Sequence, residues 1–253
     1  MKIVAIGGGE IGRLNKNGRR YPIETRAIDK EIIRLSGKTH PRALLLPTAS
    51  GDSDAYYPTF ERYYGKMLGC KTDVLYLIKE KPSKKEIEEK IKKADIIYVG
   101  GGNTLRMLKV WRRLGIDKML EEAGKQGKVL CGVSAGAICW FKYGNSDSRR
   151  FGTNKSNSLI RIRGLDFVDL MACPHYDQEK SRKPILKKMV RDYGNTALAL
   201  ENGSAIEILD DSYRIISSLK NAKAYRVYRE KGKVREEKLS LDKNFRLLEE
   251  LVG

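Results

Sequence analysis

Five times in the first half of the chain, a short apolar run ends in a turn and gives way to a helical pattern. This repeat restricts the chain to few folds. The runs are residues 2–6, 43–46, 74–78, 96–99 and 129–131. The helical stretches begin near Ile23 and cover 58–68, 84–92, 105–113, 115–124 and 135–141. Alternating strand and helix predicts a parallel sheet with helices on both faces, because parallel neighbours need a crossover that returns to the same end. In such sheets ligands bind beyond the carboxyl ends of the strands. Residues 7–9, 48–52, 100–104 and Ser134 all fall at that edge.

The second half reads differently. Residues 151–163 form a polar, basic loop with little periodicity. Residues 165–173 are a strand ending at Pro174-His175-Tyr176-Asp177, 183–193 a helix, and 197–200 a short strand ending at Glu201-Asn202-Gly203. Residues 205–209, 213–217 and 224–228 read as antiparallel strands, and 243–251 as a closing helix. No repeat, low-complexity segment or linker interrupts the chain, so residues 1–253 are expected to form a single α/β domain.

Lysine and arginine number 50 against 32 acidic residues, a formal net charge of +18. Such an excess suits nucleic acid or an acidic substrate. The basic residues are interleaved with glutamate in helical stretches such as 81–93, as on a solvated face, and no aromatic–basic alternation of the kind that stacks bases is present. Nucleic acid is therefore not expected as a partner. No segment approaches the roughly 20 apolar residues that span a bilayer, so no membrane partner is expected. Residues 1–6 run straight into glycines, as a first strand rather than a signal peptide. Cys70, Cys131, Cys139 and Cys173 show no C-x-x-C spacing. Free thiols in a reducing cytoplasm are expected.

Residues 128–140 read KVLCGVSAGAICW. An apolar strand runs into Gly132-Val133-Ser134-Ala135-Gly136, the G-x-S-x-G of a nucleophile elbow. A side chain at either glycine would clash with the neighbouring strand or helix, and the tight turn lifts the Ser134 hydroxyl out of the sheet. An activated serine needs a base, and only two histidines exist. His40 precedes a strand, at the wrong end of the sheet. His175 follows one, at the end where Ser134 emerges. Glu201 also follows a short apolar strand and is the expected third member, with Asp147 and Asp177 as rivals. The backbone N–H groups of Ala135, Gly101 and Gly102 are expected to hold the oxyanion.

Other motifs exclude more than they suggest. Residues 7–12 spell G-x-G-x-x-G, but the dinucleotide motif needs its last glycine to open a helix. Here residues 13–21 are polar, carry Asn17-Gly18, and precede Pro22, which reads as a loop. The triple glycine at 100–102 lacks the Lys-Ser/Thr of a P-loop. No His-x-x-x-His or carboxylate cluster suggests a metal. No cofactor is expected.

Four motifs in this order carry a resemblance: GGGNT at 100–104, G-x-SAGA at 132–137, PH-x-D at 174–177 and ENG at 201–203. Together they resemble the peptidase E (aspartyl dipeptidase) family, with cyanophycinases in the same wider group, over most of the chain from Ile3 to about Tyr228. The resemblance implies a flavodoxin-like fold akin to class I glutamine amidotransferases: a doubly wound, mostly parallel sheet with antiparallel C-terminal strands. It implies a serine-type dipeptidase with Ser134, His175 and Glu201 as catalytic residues and Gly101 and Ala135 in the oxyanion hole. The order Ser…His…Glu differs from the Ser…Asp/Glu…His of α/β-hydrolases. In aspartyl dipeptidases an arginine shortly after the histidine binds the substrate's aspartyl carboxylate, and Arg182 is the nearest match. Asn103 and Asp147 are further expected substrate contacts. The expected partner is a small peptide, an N-terminal Asp dipeptide or another amide such as cyanophycin's isopeptide, and the assembly is left open between monomer and homodimer. A non-catalytic small-molecule-binding domain that keeps the elbow is the alternative from another class.

Overall fold

The computed structural model describes residues 1–151, 156, 158–178 and 181–252. In the first half β1 (Lys2–Ile6), α1 (Arg26–Leu35), β2 (Arg42–Leu46), α2 (Tyr56–Phe60, continued by a π-helix over Glu61–Met67), β3 (Lys71–Val74), α3 (Lys84–Lys93), β4 (Ile96–Val99), α4 (Thr104–Leu114), α5 (Ile116–Lys125) and β5 (Val129–Val133) alternate as expected. Strands β1, β5, β4, β2 and β3 pair in that order, all parallel. Every second residue of a strand faces the same side. Ile3, Leu44, Leu46, Ile97, Val99 and Leu130 pack with α3, α4 and α5, while Val4, Ala43, Leu45, Tyr98 and Cys131 pack with α1 and α2. The sheet is doubly wound, each buried Leu or Ile contributing about 1.5–3 kcal/mol.

The third strand is a correction. The apolar residues 74–78 suggest it, but only 71–74 pair with β2. Ile78 N–H and Lys79 N–H instead donate to the Asp52 carboxylate at the carboxyl end of the sheet.

A larger correction follows Ser134. The expected helix 135–141 lasts one turn, α6 (Ala135–Ile138), and the chain then enters β6 (Phe141–Ser146). That strand founds a second sheet with β7 (Ile160–Arg163), β8 (Val168–Cys173), β9 (Ala197–Leu200), β12 (Ala224–Glu230) and β13 (Lys233–Leu239), in the order β13-β12-β9-β8-β6-β7. Strand β7 lies inside the expected loop 151–163, of which residues 152–155 and 157 are outside the described residues. Small, polar and basic residues hide these strands, since Lys142, Gly144 and Asn145 carry no strand signal. Helix α7 (Arg182–Tyr193) covers one face of this sheet through Leu186, Met189 and Val190. The other face, with Phe141, Leu170, Ala172, Leu198 and Leu200, joins the core of the first sheet.

Strands β10 (Ser204–Leu209), β11 (Ser212–Ser217) and β14 (Arg246–Leu247) extend the first sheet beyond β1, antiparallel. The closing helix α8 spans only Glu249–Val252. All four cysteines are buried. Among the described residues no helix is long and apolar enough to cross a membrane.

Candidate active site

Ser134 sits between β5 and α6 with φ 59° and ψ −111°, a conformation costly to a residue with a Cβ. The glycines around it are forced. A Cβ on Gly132 would lie 2.6 Å from Gly136 O and 2.7 Å from Val99 O, and one on Gly136 would run into the Val99 carbonyl. The turn is thus pressed against the end of β4. Ser134 N–H donates to Ile6 O at 3.1 Å, which ties it to β1 as well.

His175 arrives from the second sheet, just beyond β8, also with positive φ (54°). Its N–H donates to Gly7 O at 2.9 Å, and Gly203 N–H donates to Gly8 O at 2.8 Å. The glycines after β1 therefore form a seam where the two sheets meet. A Cβ on Gly8 would overlap Asn202 Oδ1 and lie 2.5 Å from His175 Nδ1. Gly12 opens no helix, since α1 begins only at Arg26. The run that spells a dinucleotide motif instead makes room for an imidazole.

Across that seam His175 Nε2 lies 2.8 Å from Ser134 Oγ, and His175 Nδ1 lies 2.7 Å from Asn202 Oδ1. A carbonyl oxygen only accepts, so Nδ1 carries the proton and Nε2 offers its lone pair to the serine hydroxyl. Burial holds the His175 pKa below its usual 6.5, against the opposing effect of the Asn202 hydrogen bond. Burial thus favours the neutral imidazole.

Glu201 is not beside the imidazole. Leu200 faces the first sheet, so the next side chain points the other way. Its carboxylate accepts from Lys223 N–H at 2.9 Å and from the Tyr225 hydroxyl at 3.2 Å. Asn202, one residue on, returns to the histidine. Sequence reasoning passed over Asn202 because an Asn-Gly pair reads as turn punctuation. Neither rival carboxylate bonds His175. Asp177 accepts from Asn202 N–H at 2.9 Å, and Asp147 lies 3.7 Å from both Arg150 and Arg182. His40 is bonded to Gly69 O at the amino ends of the strands.

Arg182 is 2% exposed. It lies on the α7 stripe with Leu186, Met189 and Val190, which turns it inward, where its guanidinium meets Asn145 Oδ1 at 3.4 Å. Residues 179 and 180, in the segment that carries the expected arginine motif, are outside the described residues. Asn103 caps α4, its Oδ1 accepting from Arg106 N–H at 3.0 Å.

A cavity of about 520 Å³ opens beside Ser134 and His175. Arg182, Asn103 and Asp147 do not line it. The loop after β1 does, through Glu10, Arg13 and Arg20, facing Tyr56 and Gly101. Arg13 pairs with Glu10 at 2.7 Å, and Arg20 donates to Gly12 O at 3.0 Å. Ala135 N–H, first in α6, has no intrahelical acceptor. Gly101 N–H is engaged, donating to the Tyr56 hydroxyl at 3.2 Å. Gly102 packs on Ala49, where a Cβ would meet the carbonyl.

A doubly wound α/β sheet with a serine elbow and an adjoining imidazole defines the general class, an α/β hydrolytic enzyme. Comparison with known proteins narrows it. The family model described as peptidase family S51 matches residues 3–216. The chain belongs to that family and is a peptidase. An uncharacterized peptidase YgaJ of Bacillus subtilis (strain 168) is 36% identical over 228 residues, 89% of this chain and 91% of that one. Peptidase E of Salmonella heidelberg (strain SL476) is 34% identical over 89 residues, 34% of this chain and 36% of that one. Among solved structures, a peptidase from an acI-B1 Actinobacterium superposes with a TM-score of 0.73 at 17% identity, covering 97% and 96% of the two chains. A putative peptidase E protein from Listeria monocytogenes EGD-e superposes with a TM-score of 0.60 at 23% identity, covering 85% and 98%.

Proposed function

We propose that this peptidase hydrolyses small peptides by a serine mechanism. Ser134 is the nucleophile, His175 the general base, and Asn202 the residue that fixes the imidazole tautomer. The observation that carries this reading is the unbroken line from Ser134 Oγ through His175 to Asn202 Oδ1, at 2.8 and 2.7 Å. As Oγ attacks the scissile carbonyl carbon, its proton passes to His175 Nε2 and the carbonyl π pair moves onto oxygen. The imidazolium then protonates the leaving amine, and a water takes the reverse path through the acyl-enzyme. Ala135 N–H at the head of α6 faces the developing oxyanion.

A cavity of about 520 Å³ suits a substrate the size of a dipeptide. Arg13 and Arg20 are the basic side chains lining it, and they, rather than the buried Arg182, are the groups that would favour an acidic substrate. The test is a dipeptide screen with wild type and Ser134→Ala. Hydrolysis by wild type only is expected. Asp-Leu should exceed Asn-Leu by about tenfold in kcat/KM if a guanidinium reads the side chain. Equal turnover of the two would leave a peptidase without aspartyl preference.

A further inference from the structure

The Gly101 N–H, expected to hold the oxyanion directly, is covered by a phenol. Tyr56 opens α2, and its ring lies against Gly100, just beyond the end of β4. A Cβ on Gly100 would sit 2.6 Å from the Tyr56 ring, so the first glycine of the 100–102 run leaves room for that ring. The hydroxyl accepts from Gly101 N–H at 3.2 Å. Gly101 itself borders the nucleophile, where a Cβ would stand 3.3 Å from Ser134 Cβ and 3.8 Å from Oγ. Tyr56, Gly101, Ser134 and His175 line one cavity.

We infer that Tyr56 is a catalytic residue, its hydroxyl donating a hydrogen bond to the oxyanion with Gly101 N–H behind it. A phenol that accepts from an amide is a better donor, because each bond polarises the next. No proton leaves Tyr56. The Oγ–C bond forms, the π pair settles on oxygen, the Oγ proton goes to His175 Nε2, and the phenol contributes only its O–H dipole. Burial raises the Tyr56 pKa to about 12, which keeps it protonated over the working range. The role is also consistent with the position of Ala135, whose N–H would supply the second donor.

This inference rests on the serine mechanism above, and the experiment separates the two. The second-order rate of Ser134 labelling by a fluorophosphonate, whose addition also develops an oxyanion, is measured alongside kcat and KM for Asp-Leu. Wild type, Tyr56→Phe and Ser134→Ala are compared. Tyr56→Phe should lower kcat and the labelling rate about 10- to 100-fold with KM nearly unchanged, since one oxyanion donor is lost. It should weaken a peptide aldehyde inhibitor by a similar factor. If Tyr56→Phe folds poorly, 3-fluorotyrosine at position 56, a more acidic phenol of nearly the same size, keeps the ring contacts and should alter kcat without altering KM. Unchanged rates in either variant would overturn the inference. Faster rates in Tyr56→Phe would overturn it too, because the hydroxyl would then be a plug over Gly101. Failure of Ser134→Ala to abolish both turnover and labelling would instead overturn the serine mechanism.

Discussion

The proposed nucleophile and its proposed base are held in different ways. Ser134 stands on a turn fixed by its immediate surroundings: Gly132 and Gly136 press on Val99, and Ser134 N–H is tied to Ile6 O. All of these contacts lie within the parallel sheet that the turn ends. His175 stands at the margin of the second sheet and is held by hydrogen bonds that leave that sheet, through His175 N–H to Gly7 O and Gly203 N–H to Gly8 O. Asn202 and Asp177 complete its frame. The Ser134 elbow is thus a motif of one sheet, whereas the place of His175 is a consequence of how two sheets meet. Changes at the elbow should act on chemistry and stability together, while changes at the seam should act mainly on the imidazole.

The largest effect tests whether the two halves work as a unit. Ser134→Ala and His175→Ala are each expected to lower kcat by about 10⁴-fold or more, and the double variant should be little worse than either. Additive losses would mean that the halves act independently and would break the comparison. Steady-state kinetics on the best dipeptide decides it.

Next comes the seam itself. Asn202→Ala should cost about 10²- to 10³-fold in kcat, because the imidazole loses the acceptor that fixes its tautomer. Glu201→Gln should cost less than about tenfold, since its carboxylate serves Lys223 and Tyr225 rather than His175. The reverse order would restore Glu201 as the third member. The pH profile gives the same answer. In the proposed mechanism catalysis needs neutral His175, whose pKa is depressed by burial, so the acidic limb of kcat/KM should lie below pH 6.5 in wild type. Asn202→Asp brings a negative charge against the imidazole and favours its protonated form, so that limb should move up by about one pH unit.

The smallest catalytic effect is expected at Arg182. It fills the inward stripe of α7 and meets Asn145 and Asp147. Arg182→Ala should lower the melting temperature, at a cost of roughly 1.5–3 kcal/mol for a hydrogen bond to a charged group, and leave the ratio of Asp-Leu to Asn-Leu turnover unchanged. A collapse of that ratio without loss of stability would give Arg182 the recognition role that its place after His175 in the chain suggests.

The sequence by itself determined the parallel core, its helices on both faces and the Ser134 elbow. Each is written in contiguous residues: apolar runs at strand length, helical periodicity, and two glycines around a serine. It also singled out His175 over His40 as the candidate base, because only one histidine follows a strand. The tertiary structure alone decided the partner of that histidine, the place of Arg182 and the use of the first glycine run. Strand β6 was hidden because Gly144 and Asn145 pair as a strand only where neighbouring strands await them. Glu201 and Asn202 are adjacent in sequence, and either could orient an imidazole. Which one does depends on the pleat: consecutive side chains leave the end of β9 in opposite directions, and the packing of Leu200 into the shared core sends Glu201 away and Asn202 toward His175. Likewise Gly7 is small because Leu200 and the Glu201 carbonyl press on it, and Gly8 because the side chains of Asn202 and His175 do. A one-residue difference in which way a side chain faces is set by burial across a long-range contact, and no local pattern carries that information.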